Sequence, residues 1–318
     1  MIKVGVSGCD NLRAQELVRV LVNHPDVELK WVSSRTSVGM RLDSVVPGLV
    51  GDSDLMVVAA GALDDVDLVF LCGSRDDVSS RLAMLAGRDT INVIDLSGSH
   101  NLEQGQEPQW KYGLSEMQRR VLVHDTRLVT VPGAIAAASL LTLLPLARNL
   151  LLNSPLSLHV DLGKAALSPE GITPDGMTLD DWTGEQRQEL LYNLKRCQTS
   201  FNQSIDLAVD VSDERRLLAV TARMKCGVDG EMLRELYEQY YDDHNFVFIV
   251  DRPITAAGVE NTNKCLIRLD KDEPSGVLTV TAVMDVLLKG CVGTAVHAMN
   301  LMFGLHERVG LALKGTGC

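Results

Sequence analysis

At 318 residues, with 46% apolar and 23% charged side chains, the chain is long enough for two domains and can bury a sizeable core. It has 30 Lys and Arg against 42 Asp and Glu, a net charge of −12, and an acidic surface of that kind argues against non-specific binding to nucleic acid or to an anionic membrane. The longest apolar run, around Ala134 to Leu152, is broken by Pro145 and Arg148 and falls short of the ~20 residues that span a bilayer. The seven cysteines are scattered, odd in number and free of CxxC spacing, so they form no zinc pattern and suit a reduced, cytoplasmic protein.

The chain opens with an alternating β-rich strand, Ile2 to Val6, rather than a signal peptide. Gly5 and Gly8 follow the GxxG spacing, and an amphipathic helix carries Leu12, Leu17, Val18, Leu21 and Val22. Strands are expected at Val27 to Ser34, Leu55 to Ala60, Val66 to Cys72 and Ile91 to Leu96, with a helix from Ser79 to Ala86. Such alternation predicts a parallel sheet covered on both faces, with ligands at the C-terminal ends of its strands. An apolar run from Leu128 stops at Pro132-Gly133, and an Ala/Leu-rich helix follows, roughly Ala134 to Leu151. A helix opening there presents free backbone N–H groups, a suitable place for a nucleophile and its oxyanion. The residue in that place is Ala134, which has no such chemistry.

Beyond Leu152 the pattern becomes strand-rich. A strand at Leu156 to Leu162 leads into a loop from Lys164 to Trp182 that contains Pro169, Gly171, Pro174 and Gly176. Thr183 to Gln186 reads as a capping box opening a helix with Leu190, Leu191, Leu194 and Cys197 on one face. Strands are expected at Ile205 to Val211, Leu217 to Met224, Phe246 to Val250, Lys264 to Leu269 and Val277 to Met284, with a helix from Gly230 to Tyr241. A last helix runs from Lys289-Gly290 to Phe303. The fold class is therefore α/β: a Rossmann-type domain plus an α+β domain with a mixed sheet.

Gly5 and Gly8 between a strand and a helix are half of a dinucleotide loop; a full fingerprint has a third glycine where this chain has Asn11. Ser33, Ser34 and Arg35 close the second strand, and hydroxyls with an arginine there suit a 2′-phosphate better than a free ribose hydroxyl. None of the seven histidines has a Cys or carboxylate at motif spacing, and Asp285 with Lys289 reads as an N-cap and first-turn pair.

Several segments together resemble the N-acetyl-γ-glutamyl-phosphate reductases, relatives of the aspartate-semialdehyde dehydrogenases. They include Lys3 to Gly8, Leu21 to Pro25, Ser33 to Gly39, Val93 to Ser97, Tyr112 to Met117, Val131 to Gly133, Asn261 to Cys265 and Leu288 to Gly304. The resemblance implies a domain of residues 1–133 completed by 289–318 that binds NADP, with a substrate and dimerisation domain, 134–288, inserted between them. It implies a homo-oligomer, and a reaction in which a cysteine thioester of an acyl phosphate accepts hydride from NADPH while a histidine handles protons. The cysteine position of the family's Pro-Gly-Cys motif falls on Ala134, and the histidine position of its His-x-Pro-Glu motif falls on Gln186. Arg215 stands near the place of a substrate arginine, and Ser74 to Asp76 replaces a Pro-His-Gly.

The departures cluster on the chemistry while the framework segments persist. This favours a non-catalytic homologue that binds a partner protein, a metabolite or a weakly held NADP. Two readings compete with it: an active reductase using another thiol, Cys197 or Cys226, and an NADP-dependent oxidoreductase that needs no covalent step.

Overall fold

The computed structural model describes residues 1–102, 109–124, 126–168, 173, 177–315. Pro169, Gly171, Pro174 and Gly176 of the expected loop lie outside the described residues. The chain divides into two compact units, one of Met1–Pro132, Leu167–Met177 and Cys291–Ala312, the other of Gly133–Ala166, Thr178–Gly290 and Leu313–Cys318.

The first unit contains β1 (Ile2–Ser7), α1 (Leu12–Val22), β2 (Val27–Ser33), the single turn α2 (Leu42–Val45), β3 (Leu68–Leu71), α3 (Arg75–Leu85), β4 (Asn92–Asp95), β5 (Lys111–Tyr112), α4 (Ser115–Val123) and β6 (Leu128–Thr130). The strands form one parallel sheet in the order β2-β1-β3-β4-β6-β5. The order reverses at β1, so a crevice opens beyond its C-terminal end, where open α/β sheets hold ligands. The expected strand at Leu55–Ala60 is reduced to isolated bridges, Ser33 to Val58 and Arg41 to Met56, because this segment skirts the sheet edge without a continuous partner. β5 and α4 had no counterpart in the sequence reading.

The second unit contains α5 (Ala134–Arg148), β7 (Leu156–Gly163), α6 (Leu179–Cys197), β8 (Ile205–Ser212), β9 (Leu217–Lys225), α7 (Gly230–Tyr241), β10 (Val247–Ile249), β11 (Cys265–Asp272) and β12 (Val277–Asp285). Its mixed sheet has the order β10-β11-β12-β9-β7-β8. α5 packs on β9 and β12, and α6 packs on α5. Pro145 lies inside α5 and has no N–H to give to the carbonyl of Leu141. The Tyr241 hydroxyl of α7 donates to that carbonyl, and Tyr237 donates to the next one, Thr142.

Two helix starts differ from the sequence reading. α6 begins four residues before the expected capping box, because the Thr178 hydroxyl accepts the Asp181 N–H and takes the N-cap role; Thr183 to Gln186 is therefore helix interior. The closing helix begins as a π-turn at Leu288–Val292 and becomes α-helical only as α8 (Gly293–Met302), which packs against α4 within the first unit. Among the described residues no helix is long and apolar enough to cross a membrane.

Candidate active site and nucleotide cleft

At the start of α5 two of the backbone donors are engaged by side chains of α6. Glu189 Oε1 accepts the Gly133 N–H at 3.0 Å, and Gln186 Oε1 accepts the Ala136 N–H at 3.0 Å. Gln186 and Glu189 are one turn apart on the buried face of α6, at 3% and 4% exposure. The expected open N-terminus is thus filled in part: one carboxylate oxygen and one amide oxygen of the chain meet the Gly133 and Ala136 N–H groups. The fit is close, since a Cβ on Gly133 would lie 2.5 Å from Gln186 Cδ. The Gln186 Nε2 is buried without a hydrogen-bond partner, a donor left over in this corner.

Ala134 is buried, with its methyl against Gly290, and offers no nucleophile. Burial pushes the Cys197 thiol up and so opposes the thiolate that a nucleophile needs, even with Arg148 and Arg196 pulling the other way. Cys226 is a buried free thiol. Gln186 can donate and accept hydrogen bonds but has no proton to exchange near neutral pH.

The arginine beside this region is Arg216 rather than Arg215. Arg215 has an exposed side chain, and its carbonyl accepts the Ala165 N–H at 2.8 Å. Arg216 grips the fully buried Asp285 through Nε at 2.6 Å and a second nitrogen at 3.1 Å. Asp285 also accepts the N–H groups of Asn261 at 2.7 Å and of Leu287 and Leu288 at 2.9 Å. It caps the π-turn as expected of an N-cap and pairs with Arg216; the buried Lys289 lies 5.7 Å from the Phe246 ring centre. Sequence could not choose between adjacent arginines at a strand entrance; the side facing Asp285 is decided by the β9–β12 register, which sets Leu217 opposite Asp285.

In the first unit, Ser7, Gly8, Asp10, Ser33, Ser34, Arg35, Ala59, Ala60, Asp77 and Arg81 are among the residues around a cleft of about 160 Å³ at the end of β1. Gly8 has φ +92° and lies against Gly73, where a Cβ would come 2.6 Å from the Gly73 nitrogen; a side chain is excluded there twice over. Gly5 does not border the cleft. A Cβ on Gly5 would overlap the Trp31 indole, so this glycine serves the packing of β1 on β2. Asn11, in place of the third glycine, caps α1 by accepting the Ala14 N–H at 2.9 Å and donates to the Cys72 carbonyl at 2.9 Å. The turn therefore survives with an Asx cap instead of a glycine.

Asp10 was not singled out in the sequence. Its Oδ1 accepts from Ser34 Oγ at 2.5 Å, Thr36 Oγ1 at 2.8 Å, the Arg35 N–H at 3.1 Å and the Thr36 N–H at 3.2 Å. Partial burial pushes the Asp10 carboxyl up, but the hydrogen bonds from Ser34 and Thr36 outweigh it and hold the group below the usual carboxylate range. Arg35, expected to meet a 2′-phosphate, pairs instead with Asp77 at 3.2 Å. Arg81 is buried, lies over the Trp31 ring at 4.8 Å and donates to the Gly61 carbonyl at 2.8 Å. The residues here fit a nucleotide cleft in which Asp10 holds the Ser34 and Thr36 hydroxyls and the Arg35 and Thr36 N–H groups.

Residues 3–124 match the semialdehyde dehydrogenase NAD-binding domain, and residues 187–285 match the semialdehyde dehydrogenase dimerisation domain. The N-acetyl-gamma-glutamyl-phosphate reductases of Parabacteroides distasonis and Phocaeicola vulgatus are each 36% identical to this chain over 325 residues, covering 99% of both sequences. In fold, the chain is similar to a probable aspartate-semialdehyde dehydrogenase from Pseudomonas aeruginosa (TM-score 0.72, 17% identity, 95% of this chain and 98% of that one). It is similar in the same way to the Candida albicans aspartate semialdehyde dehydrogenase solved with NADP (TM-score 0.69, 11% identity, 95% and 98%). With this identity sustained from end to end, the chain belongs to the N-acetyl-gamma-glutamyl-phosphate reductase family.

Proposed function

We propose that this chain is a non-catalytic member of the family, one that keeps the two-unit framework for binding or regulation and has given up acyl-phosphate reduction. The observation that carries this reading is the start of α5. There a methyl group stands at the nucleophile position, and the N–H groups of Gly133 before it and Ala136 after it are held by Glu189 and Gln186. The hydrogen bonds would have to break, and a thiol and a proton carrier be supplied, before the corner could support a thioester. The raised thiol of the half-buried Cys197 and the burial of Cys226 weigh against a substitute nucleophile. The test is NADPH- or NADH-dependent phosphate release from N-acetyl-γ-glutamyl phosphate by the purified wild type; turnover near one per second would overturn the reading.

The reading includes a nicotinamide nucleotide over Gly8, in a cytoplasmic protein with reduced thiols. NADP was favoured by the composition of Ser33, Ser34 and Arg35; the ion pair of Arg35 and the bonds of Asp10 weigh against that choice. Self-association belongs to the same reading. The outward rows of the mixed sheet are largely polar. One row runs Asp206, Ser157, Arg223, Thr279, Asp270 in register, and the apolar contacts of Ala219 and Val283 are covered by Val259. A second copy would meet a sheet face of alternating charge, so the association should weaken with salt; light scattering at micromolar concentration, in low and high salt, reads it.

A further inference from the structure

We propose that Asp10 is a built-in anion surrogate that closes the nucleotide cleft to a 2′-phosphate, so that the cleft takes NAD(H) in preference to NADP(H). The inference rests on the reading that the first unit binds a nicotinamide nucleotide, and it adds the residue that sets the choice. Two consecutive backbone N–H groups and two hydroxyls converge on one oxygen of Asp10, and the Arg35 N–H reaches the second oxygen at 3.2 Å. Such a concave set of donors is what a phosphate oxygen seeks. Here it is filled from within. The Ser34 hydroxyl is further committed, accepting the N–H groups of Thr36 at 3.1 Å and Ser37 at 2.9 Å.

Asp10 cannot readily withdraw. On one side the Gly8 and Cys9 N–H groups donate to the Ser33 carbonyl at 3.1 and 2.8 Å; on the other, Asn11 is tied to the Cys72 carbonyl at 2.9 Å. A phosphate competing for these donors would therefore leave the displaced carboxylate in the same small cleft, like charge beside like charge. The cations cannot offset this at no cost, since Arg35 is paired with Asp77 and Arg81 is turned toward Trp31 and Gly61. A free ribose hydroxyl meets the opposite situation: it can donate to the Asp10 carboxylate. Carboxylates at the end of the second strand select the unphosphorylated cofactor in this way; in this chain the carboxylate reaches that place from the first loop.

The test is a set of fluorescence titrations of the full chain with NADH and with NADPH, for wild type, Asp10→Gly and Asp10→Asn. The wild type should bind NADH at least about tenfold more tightly than NADPH, and both substitutions should tighten NADPH by about tenfold while NADH is held no better than before. Asp10→Asn keeps the shape and one acceptor, so it remains informative if thermal denaturation shows that the glycine variant does not fold. Tighter binding of NADPH by the wild type, an unchanged NADH-to-NADPH ratio in the variants, or binding of neither nucleotide by any chain would overturn the proposal. Turnover in the acyl-phosphate assay would overturn the loss of catalysis without touching this ratio, so the two readings fail separately.

Discussion

The cleft at the end of β1 and the start of α5 are both places where a backbone offers N–H groups to an anion, and in both the chain answers with its own oxygens. The two differ in depth. Asp10 is a half-buried loop carboxylate whose bonds run to neighbouring loop atoms. Gln186 and Glu189 are almost wholly buried on a helix face, and Gly133 is shaped to accept them. A group at the surface can be substituted with local consequences, whereas a buried group is coupled to the packing of α6 on α5. Specificity at the first place is therefore open to a single change, while chemistry at the second is not.

The comparison is sharpest in activity. Ala134→Cys should give no useful acyl-phosphate reduction, because the base is also missing and the two act as a unit worth several orders of magnitude in rate. Ala134→Cys with Gln186→His should restore at most a trace, measured as phosphate release. A double variant with family-like turnover would break the distinction between the two places.

Next in size is stability. Glu189→Ala removes the acceptor of the part-buried Gly133 N–H and a side chain buried between α6 and α5, and should cost about 1–3 kcal/mol in urea denaturation. Asp10→Asn should cost much less, since its site is partly solvated. Equal losses would mean that the two places do not differ in depth as described.

The smallest effect is with acid. The Asp10 carboxyl is held below its ordinary value in the folded chain, so it contributes stability that is fully present above about pH 4, the unfolded value, and is lost as pH falls through the lowered one. The acid limb of the pH–stability profile should therefore flatten slightly in Asp10→Asn.

Much of the framework was legible before any coordinate. The strand at Ile2, the helix at Gly230–Tyr241 and the turn at Pro132-Gly133 carry their reasons locally, in period-2 alternation, an Asp229 cap and a helix that must start after a Pro-Gly. Where local signals compete, packing decides: Thr183 resembles a cap, but Thr178 has the hydroxyl that meets an N–H. Gly5 looked like part of a phosphate loop, while the indole it accommodates lies on the neighbouring strand at Trp31.

By itself, then, the sequence determined the alternation of elements, the α/β class, the absence of a thiol at position 134 and the family, because each is a property of residues close in the chain or of its overall pattern. Only the tertiary structure decided that Arg216 rather than Arg215 meets Asp285, that Gln186 and Glu189 fill the start of α5, and that Asp10 fills the donors around Ser34. These partners lie 69, 50, 56 and 24 residues apart. A hydrogen bond depends on direction and on a few tenths of an ångström, and over such separations these are set by sheet register and helix packing rather than by local sequence.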